Sequence, residues 1–266
     1  MTQNQWEAFC EFREAYRACC GEWSALSGAL KDLQKAAAEK DTPEYAVENS
    51  VVYNTAYDKI SREDDIHLIV IGDNPGKEEQ RADRQSYLVG QSGRLAEGFF
   101  KRNPELKTDF RRNVIICNKT PVHTAKTNHL KYLMKNGPRE VCDLIMQSQV
   151  KCAELIADLH HKLIRGAEKG SFIPELWLVG YAELKGRGLF LPYRDSLKNR
   201  YQIFESKDFW SHVYVYQHFS MNRFSLDLKD FMRKNEGMDL EQSLKALGCL
   251  HKEEIFGPLE HNVKKN

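Results

Sequence analysis

The stretch Ile66-His67-Leu68-Ile69-Val70-Ile71-Gly72-Asp73-Asn74-Pro75-Gly76 decides the fold. Its apolar residues, Ile66 and Leu68 to Ile71, read as a buried strand that breaks into a loop built for close approach. Gly72 and Gly76 let backbone come near a ligand, and Pro75 fixes one φ. Asp73 and Asn74 put a carboxylate and an amide at the strand's carboxyl end, where open α/β sheets place their chemistry. A plain strand-to-helix turn fits the same residues equally well at this level.

Working outward, three more short apolar runs follow: Val114 to Cys117, Leu176 to Val179 and Val213 to Tyr216. Helical patterns lie between them, the clearest being the stripe Val141, Ile145, Cys152, Ile156, Leu159 and Leu163 after Pro138. Strands alternating with helices predict an α/β fold, three layers α/β/α around a central, mostly parallel four-stranded sheet. Each strand runs into polar residues: Gly72 to Gly76, Asn118-Lys119-Thr120-Pro121, Gly180-Tyr181-Ala182, and Gln217-His218-Phe219-Ser220. Parallel strands would bring these loops to one edge, giving a cleft with a carboxylate, two amides, a histidine and a serine. Residues 5 to 37 read as helix with a broad aromatic face through Trp6, Phe9, Phe12, Tyr16, Trp23, Leu26 and Leu30. The expected organisation is a helical extension over 1–65 packed on the core, an α/β domain over 66–226, and a helical extension over 227–266 ending in Lys264-Lys265-Asn266.

A chain of 266 residues, 41% hydrophobic, can build a sizeable core. The longest apolar runs are about strand length, and Met1 to Phe12 is no basic leader, so a cytoplasmic protein with no membrane partner, a monomer, is expected. Seven cysteines, odd in number and without C-x-x-C pairs, suit reduced thiols rather than a metal site. His123, His129, His160 and His161 have no partners at metal-ligand spacing. Net charge is +1, yet Lys101 to Arg139 carries ten Lys and Arg against two acids, while residues 1–65 hold seven basic against thirteen acidic side chains. That basic segment fits either a phosphate backbone or a solvated face.

These segments, in this order, resemble the uracil-DNA glycosylase superfamily. There a first motif, Gly-x-(Asp/Asn/Ala)-Pro-(Tyr/Gly), ends the first strand, and a His-Pro-Ser motif follows the last. Gly72 to Gly76 and His218-Phe219-Ser220 are the counterparts here. Leu88-Val89-Gly90-Gln91-Ser92-Gly93-Arg94-Leu95 looks like the Phe-Val-Gly-x-x-Gly-x-Leu segment of the iron-sulfur branch, and Asn118 sits where the family carries its base-reading asparagine. The resemblance covers about Ile66 to Phe224. Asn74-Pro75-Gly76 looks like the mismatch-specific and single-strand-selective branches, whereas Glu78-Glu79-Gln80 looks like the iron-sulfur branch, whose four spaced cysteines are missing. Phe219 stands where proline is usual, and Leu88, with Tyr87 beside it, stands where the stacking phenylalanine is usual.

The resemblance implies hydrolysis of the bond between uracil, or a related deaminated base, and deoxyribose in DNA, with no cofactor. A group beneath the sugar must position water and oppose positive charge, and a donor must stabilise the departing base anion. Asp73 and Asn74 are both candidates for the first task, with Asp73 the stronger base and a turn cap its ordinary alternative. His218 would hydrogen-bond the leaving base. Asn118 would read the base's Watson-Crick edge, its ordinary alternative being a turn-closing asparagine. Gly72, Gly76, Tyr87 and Leu88 would complete the base pocket, and Gly76 leaves open the space that a tyrosine fills in enzymes that reject thymine. Ser92, Lys119, Lys126, Lys131 and Ser220 are expected to hold DNA, and Met221, Asn222 and Arg223 to enter the stack as the base leaves. Two other readings stay open: a member that binds DNA or a modified base without cutting it, and an α/β protein that cradles a small nucleotide.

Overall fold

In the computed structural model, which describes residues 1–206 and 208–259, Leu68–Gly72 (β1) is buried along its whole length. Only its backbone can be satisfied there, and parallel neighbours on both sides do so. β1 pairs with Val114–Asn118 (β2) on one side and Glu175–Val179 (β3) on the other, and β3 pairs with Val213–Tyr216 (β4). The sheet order is β2-β1-β3-β4, and every pairing is parallel. The register sets Gly72 beside Asn118, so the two loops most rich in polar groups leave the sheet side by side.

The chain turns one way from β1 to β2 and the other way from β2 to β3. Right-handed crossovers therefore place Gln91–Arg102 (α3) on one face and Arg139–Arg165 (α5) on the other. The α5 stripe is buried at Val141, Ile145, Cys152, Ile156, Leu159 and Leu163, and packs against Gln3–Trp23 (α1) and Leu191–Gln202 (α6). On the α3 face, Phe99 lies edge-on to Phe224 at 4.9 Å, and Phe100 stacks on Trp177 of β3 at 5.6 Å. Arg223–Lys234 (α8) supplies Phe224, and Leu240–Phe256 (α9) covers β4. A three-layer α/β/α fold results.

The expected single helix over 5–37 is two helices, α1 and Ser27–Ala38 (α2), joined by a 3-10 turn at Ser24–Leu26. Ser24 Oγ donates to Cys20 O at 2.7 Å, which competes with the helical ladder at that point. Short helices His129–Asn136 (α4) and Asp208–Ser211 (α7) complete the set, α4 resting on α2. The hydrophobic core runs without interruption from Phe9, Phe12 and Tyr16 through the strands to Leu244 and Phe256, so both extensions share it with the α/β domain. Lys264-Lys265-Asn266 lies outside the described residues. Among the described residues no helix is long and apolar enough to cross a membrane.

Candidate functional site

The switch in strand order falls between β1 and β3, and a cleft of about 590 Å³ opens over the carboxyl ends there. All four strand-end loops line it: Asp73, Asn74 and Gly76 after β1, Asn118 at the end of β2, Gly180 after β3, and Gln217, His218 and Ser220 after β4.

At its floor is a buried ion pair. Lys119 Nζ donates to Asp73 Oδ1 at 2.6 Å, to Val179 O at 2.6 Å and to Gly72 O at 3.3 Å, which uses all three of its protons. Its side chain is 0% exposed and that of Asp73 9%. Burial pulls the Lys119 pKa down, opposed by the charge and hydrogen bond of Asp73. Gly180, at φ 98°, makes room for the pair, because a Cβ there would run into Asp73 Oδ1. Lys119 was expected at a DNA-facing rim; it is instead a cross-brace tying the ends of β1 and β3. The alternation of side chains explains the difference: one residue after the cleft-facing Asn118, the chain points back into the sheet.

Asp73 does not cap the turn that follows. With Oδ1 held by Lys119, its Oδ2 sits 3.4 Å from Thr127 Oγ1. The ion pair fixes the position of this carboxylate at the cleft. Asn74 uses its Nδ2 on Thr124 Oγ1 at 2.8 Å and Val122 O at 3.2 Å. That orientation leaves Oδ1 as an acceptor at the cleft.

Asn118 is 3% exposed, and its amide makes no side-chain hydrogen bond to protein among the described residues. It closes no turn. Gly72 is small so that Asn118 fits: a Cβ on Gly72 would come 2.5 Å from Asn118 Oδ1. The Asn118 amide lines the cleft, where it is free to exchange hydrogen bonds with solvent or a ligand.

His218 Nδ1 accepts from the Ser220 backbone N–H at 3.1 Å and lies 2.8 Å from Ser220 Oγ. This arrangement assigns the imidazole proton to Nε2 in the neutral ring. Burial lowers the pKa of His218; Asp73 opposes the shift, and Lys119 and Arg223 add to it. The ring is thus a neutral donor at the same cleft as Asn74 and Asn118. Ser220 orients this ring. It also lines the cleft, as do Ser92, Met221 and Arg223. Met221 is 67% exposed, and both Met221 (φ 52°) and Asn222 (φ 57°) hold left-handed backbone that non-glycine residues seldom adopt.

Other expectations need correction. Tyr87 is no part of the base pocket: it is 1% exposed, and its hydroxyl bonds Tyr16 OH at 2.6 Å and Val52 O at 2.5 Å. Leu88, at φ 50°, turns the chain so that Leu88 alone of the two lines the cleft. Lys126 reaches the cleft but is paired with Asp41 at 3.0 Å, and Lys131 faces a different depression. Phe219 is 2% exposed and packs on Phe224 at 4.7 Å, so its replacement of proline is a matter of core filling.

Glu79 was missed. It lines the cleft, and its carboxylate accepts from the backbone N–H of Gly76, with the amides of Leu88 and Val89 also directed at it. Burial pushes its pKa up to about 7 against those amides. The signal was present as a Gly-x-x-Glu spacing, in which a carboxylate three residues on reaches back to a free N–H, as in a capping box. All seven cysteines are free thiols, and among the described residues no three His, Cys, Asp or Glu side chains gather to hold a metal. Compared with known proteins, the chain matches no family model, no curated protein and no solved structure.

Proposed function

We propose that this protein is a DNA base-excision glycosylase of the uracil-DNA glycosylase type, hydrolysing the N-glycosidic bond of uracil or a related deaminated base. The observation that carries the reading is the meeting, in one cleft, of an open amide on Asn118, a neutral imidazole donor on His218, and the Asp73–Asn74 pair. These are the three tasks that the reaction sets. Asn118 offers a donor and an acceptor to the base's Watson-Crick edge. As the bond from C1′ to the base nitrogen breaks, its electron pair leaves with the base, and His218 Nε2–H stabilises the anion. The sugar gains positive charge, which the fixed charge of Asp73 opposes, while Asn74 Oδ1 holds the water that attacks C1′.

Leu88 gives the base an apolar wall in place of a stacking ring. Glu79 faces the space beside Gly76, and its protonated form can donate to a base carbonyl, which favours deaminated bases that present one. Met221, exposed on strained backbone at the rim, would fill the gap left by a flipped base. DNA is the partner, with Ser92 and Arg223 beside the flanking phosphates.

The test is single-turnover base release from labelled oligonucleotides containing uracil, hypoxanthine, xanthine or a thymine mismatch, read as strand breaks after alkali. Breaks at one or more of these bases, lost with His218→Ala, support the reading. Abasic-site binding with no release at stoichiometric protein would leave the binder in its place.

A further inference from the structure

Beside the cleft, and along the same two segments, lies a second depression of about 600 Å³. The segment that lines the cleft with Thr124 to Thr127 continues into α4, where Lys131, Met134 and Lys135 line the depression. The loop that gives the cleft Ala182 and Glu183 continues to Arg187, Leu189 and Pro192, on its far wall. Met146 of α5, 37% exposed, completes an apolar floor with Met134, Leu189 and Pro192.

The charges above this floor are unspent. Lys131, Lys135 and Arg187 make no ion pair and no side-chain hydrogen bond among the described residues, whereas the one acid in the lining, Asp195, is paired with Arg194, as nearby Lys126 is with Asp41. An apolar trough between free cations fits a polymer with apolar faces and an anionic backbone. Duplex DNA hides its base faces within the stack; an unpaired strand exposes them. Thioethers are polarisable and adapt to flat rings, so a methionine floor accepts bases without sequence preference.

We infer that this trough binds the single-stranded continuation of the substrate strand beyond the target nucleotide, which makes the preferred substrate single-stranded or locally opened DNA. The inference rests on the glycosylase reading for the identity of the strand, and its test separates the two. Single-stranded oligonucleotides carrying a tetrahydrofuran abasic analogue, with short or long flanks, are titrated by fluorescence anisotropy at several salt concentrations.

Wild-type protein is expected to bind the long flank more tightly, and to lose that gain when a complementary strand covers the flank. Combined K131E, K135E and R187E should abolish the gain and lower the slope of log Kd against log salt by about 2, at roughly 0.7 per phosphate contact on a single strand. Met146→Glu, a surface change, should abolish the gain alone. Flank length and salt slope unaffected by either variant would overturn the inference and leave the trough to an acidic protein partner. If that happens while wild-type protein still releases bases, only the trough is misread. If the variants behave as expected while no base is released, only the catalytic reading fails.

Discussion

The two edges of the one sheet make an instructive pair. At the amino edge a cleft of about 320 Å³ is lined by His67, Phe172, Glu175, Trp177 and Lys245, a set as rich in chemistry as that at the carboxyl edge. There, however, the groups satisfy one another. Trp177 Nε1 donates to Glu175 Oε2 at 2.8 Å, Lys245 pairs with Glu241 at 2.7 Å, and His67 stacks on Phe172 at 3.6 Å. At the carboxyl edge the fold holds Asn74 and His218 by one atom each and leaves the other facing the cleft, and it leaves the Asn118 amide open. Volume and residue type do not mark a site; polar groups fixed on one side and open on the other do.

The comparison can be broken most forcefully through its two lysines. Lys119→Met strands the buried carboxylate of Asp73 and is expected to cost about 3–5 kcal/mol in urea unfolding. Adding Asp73→Asn should recover part of the loss. Lys245→Met, with its side chain 46% exposed, should cost at most about 1 kcal/mol. Equal losses would mean that the floor of the carboxyl cleft is no more buried than the amino edge.

Activity is the next level. Asn118→Ala and His218→Ala are each expected to slow single-turnover base release by about tenfold to a thousandfold, while binding to abasic DNA survives. His67→Ala, at the other edge, should leave release unchanged. An effect of His67→Ala equal to that of His218→Ala would erase the distinction between the edges.

How far could the sequence alone have drawn this contrast? The four strands were legible because each is a buried, apolar run ending in glycine or polar residues, and their shared edge followed from parallel pairing. Asn74, Asn118 and His218 were found for the same reason: they sit on or directly after strand ends. What the sequence could not show was side-chain direction. Lys119 and Tyr87 each stand one residue from a cleft-lining neighbour, and each points into protein. Lys131 meets the neighbouring depression instead of the cleft, because a helix face, and not its position in a basic run, decides which one it faces. Glu79 escaped because a carboxylate in a run of charges reads as solvated until its backbone donors are seen.

Histidines sharpen the contrast further. Burial lowers the pKa of His160 to about 3 and that of His123 to about 4, each ring being bonded on both sides, to Tyr201 and Pro174 and to Tyr45 and Pro75. A folded pKa below the unfolded value of 6.5 means that the unfolded chain takes up protons first. Their contribution to stability is present above pH 6.5 and is lost as pH falls toward 4, by about 1.4 kcal/mol per pH unit for each ring. Urea midpoints measured between pH 7 and 5 should show this slope, and His160→Gln should reduce it by about one proton.

A further loss of stability is expected at the amino edge. Trp177→Phe removes one hydrogen bond to Glu175 and is expected to cost about 1–2 kcal/mol without changing base release.

The most direct test of the central claim is the structure of a complex with an oligonucleotide carrying 2′-fluoro-2′-deoxyuridine, whose fluorine disfavours positive charge at C1′ and slows cleavage. Uracil is expected out of the stack in the carboxyl-edge cleft, with its Watson-Crick edge on Asn118 and its O2 within hydrogen-bond reach of His218 Nε2. Uracil bound instead between His67 and Trp177, or left stacked within the DNA, would contradict it.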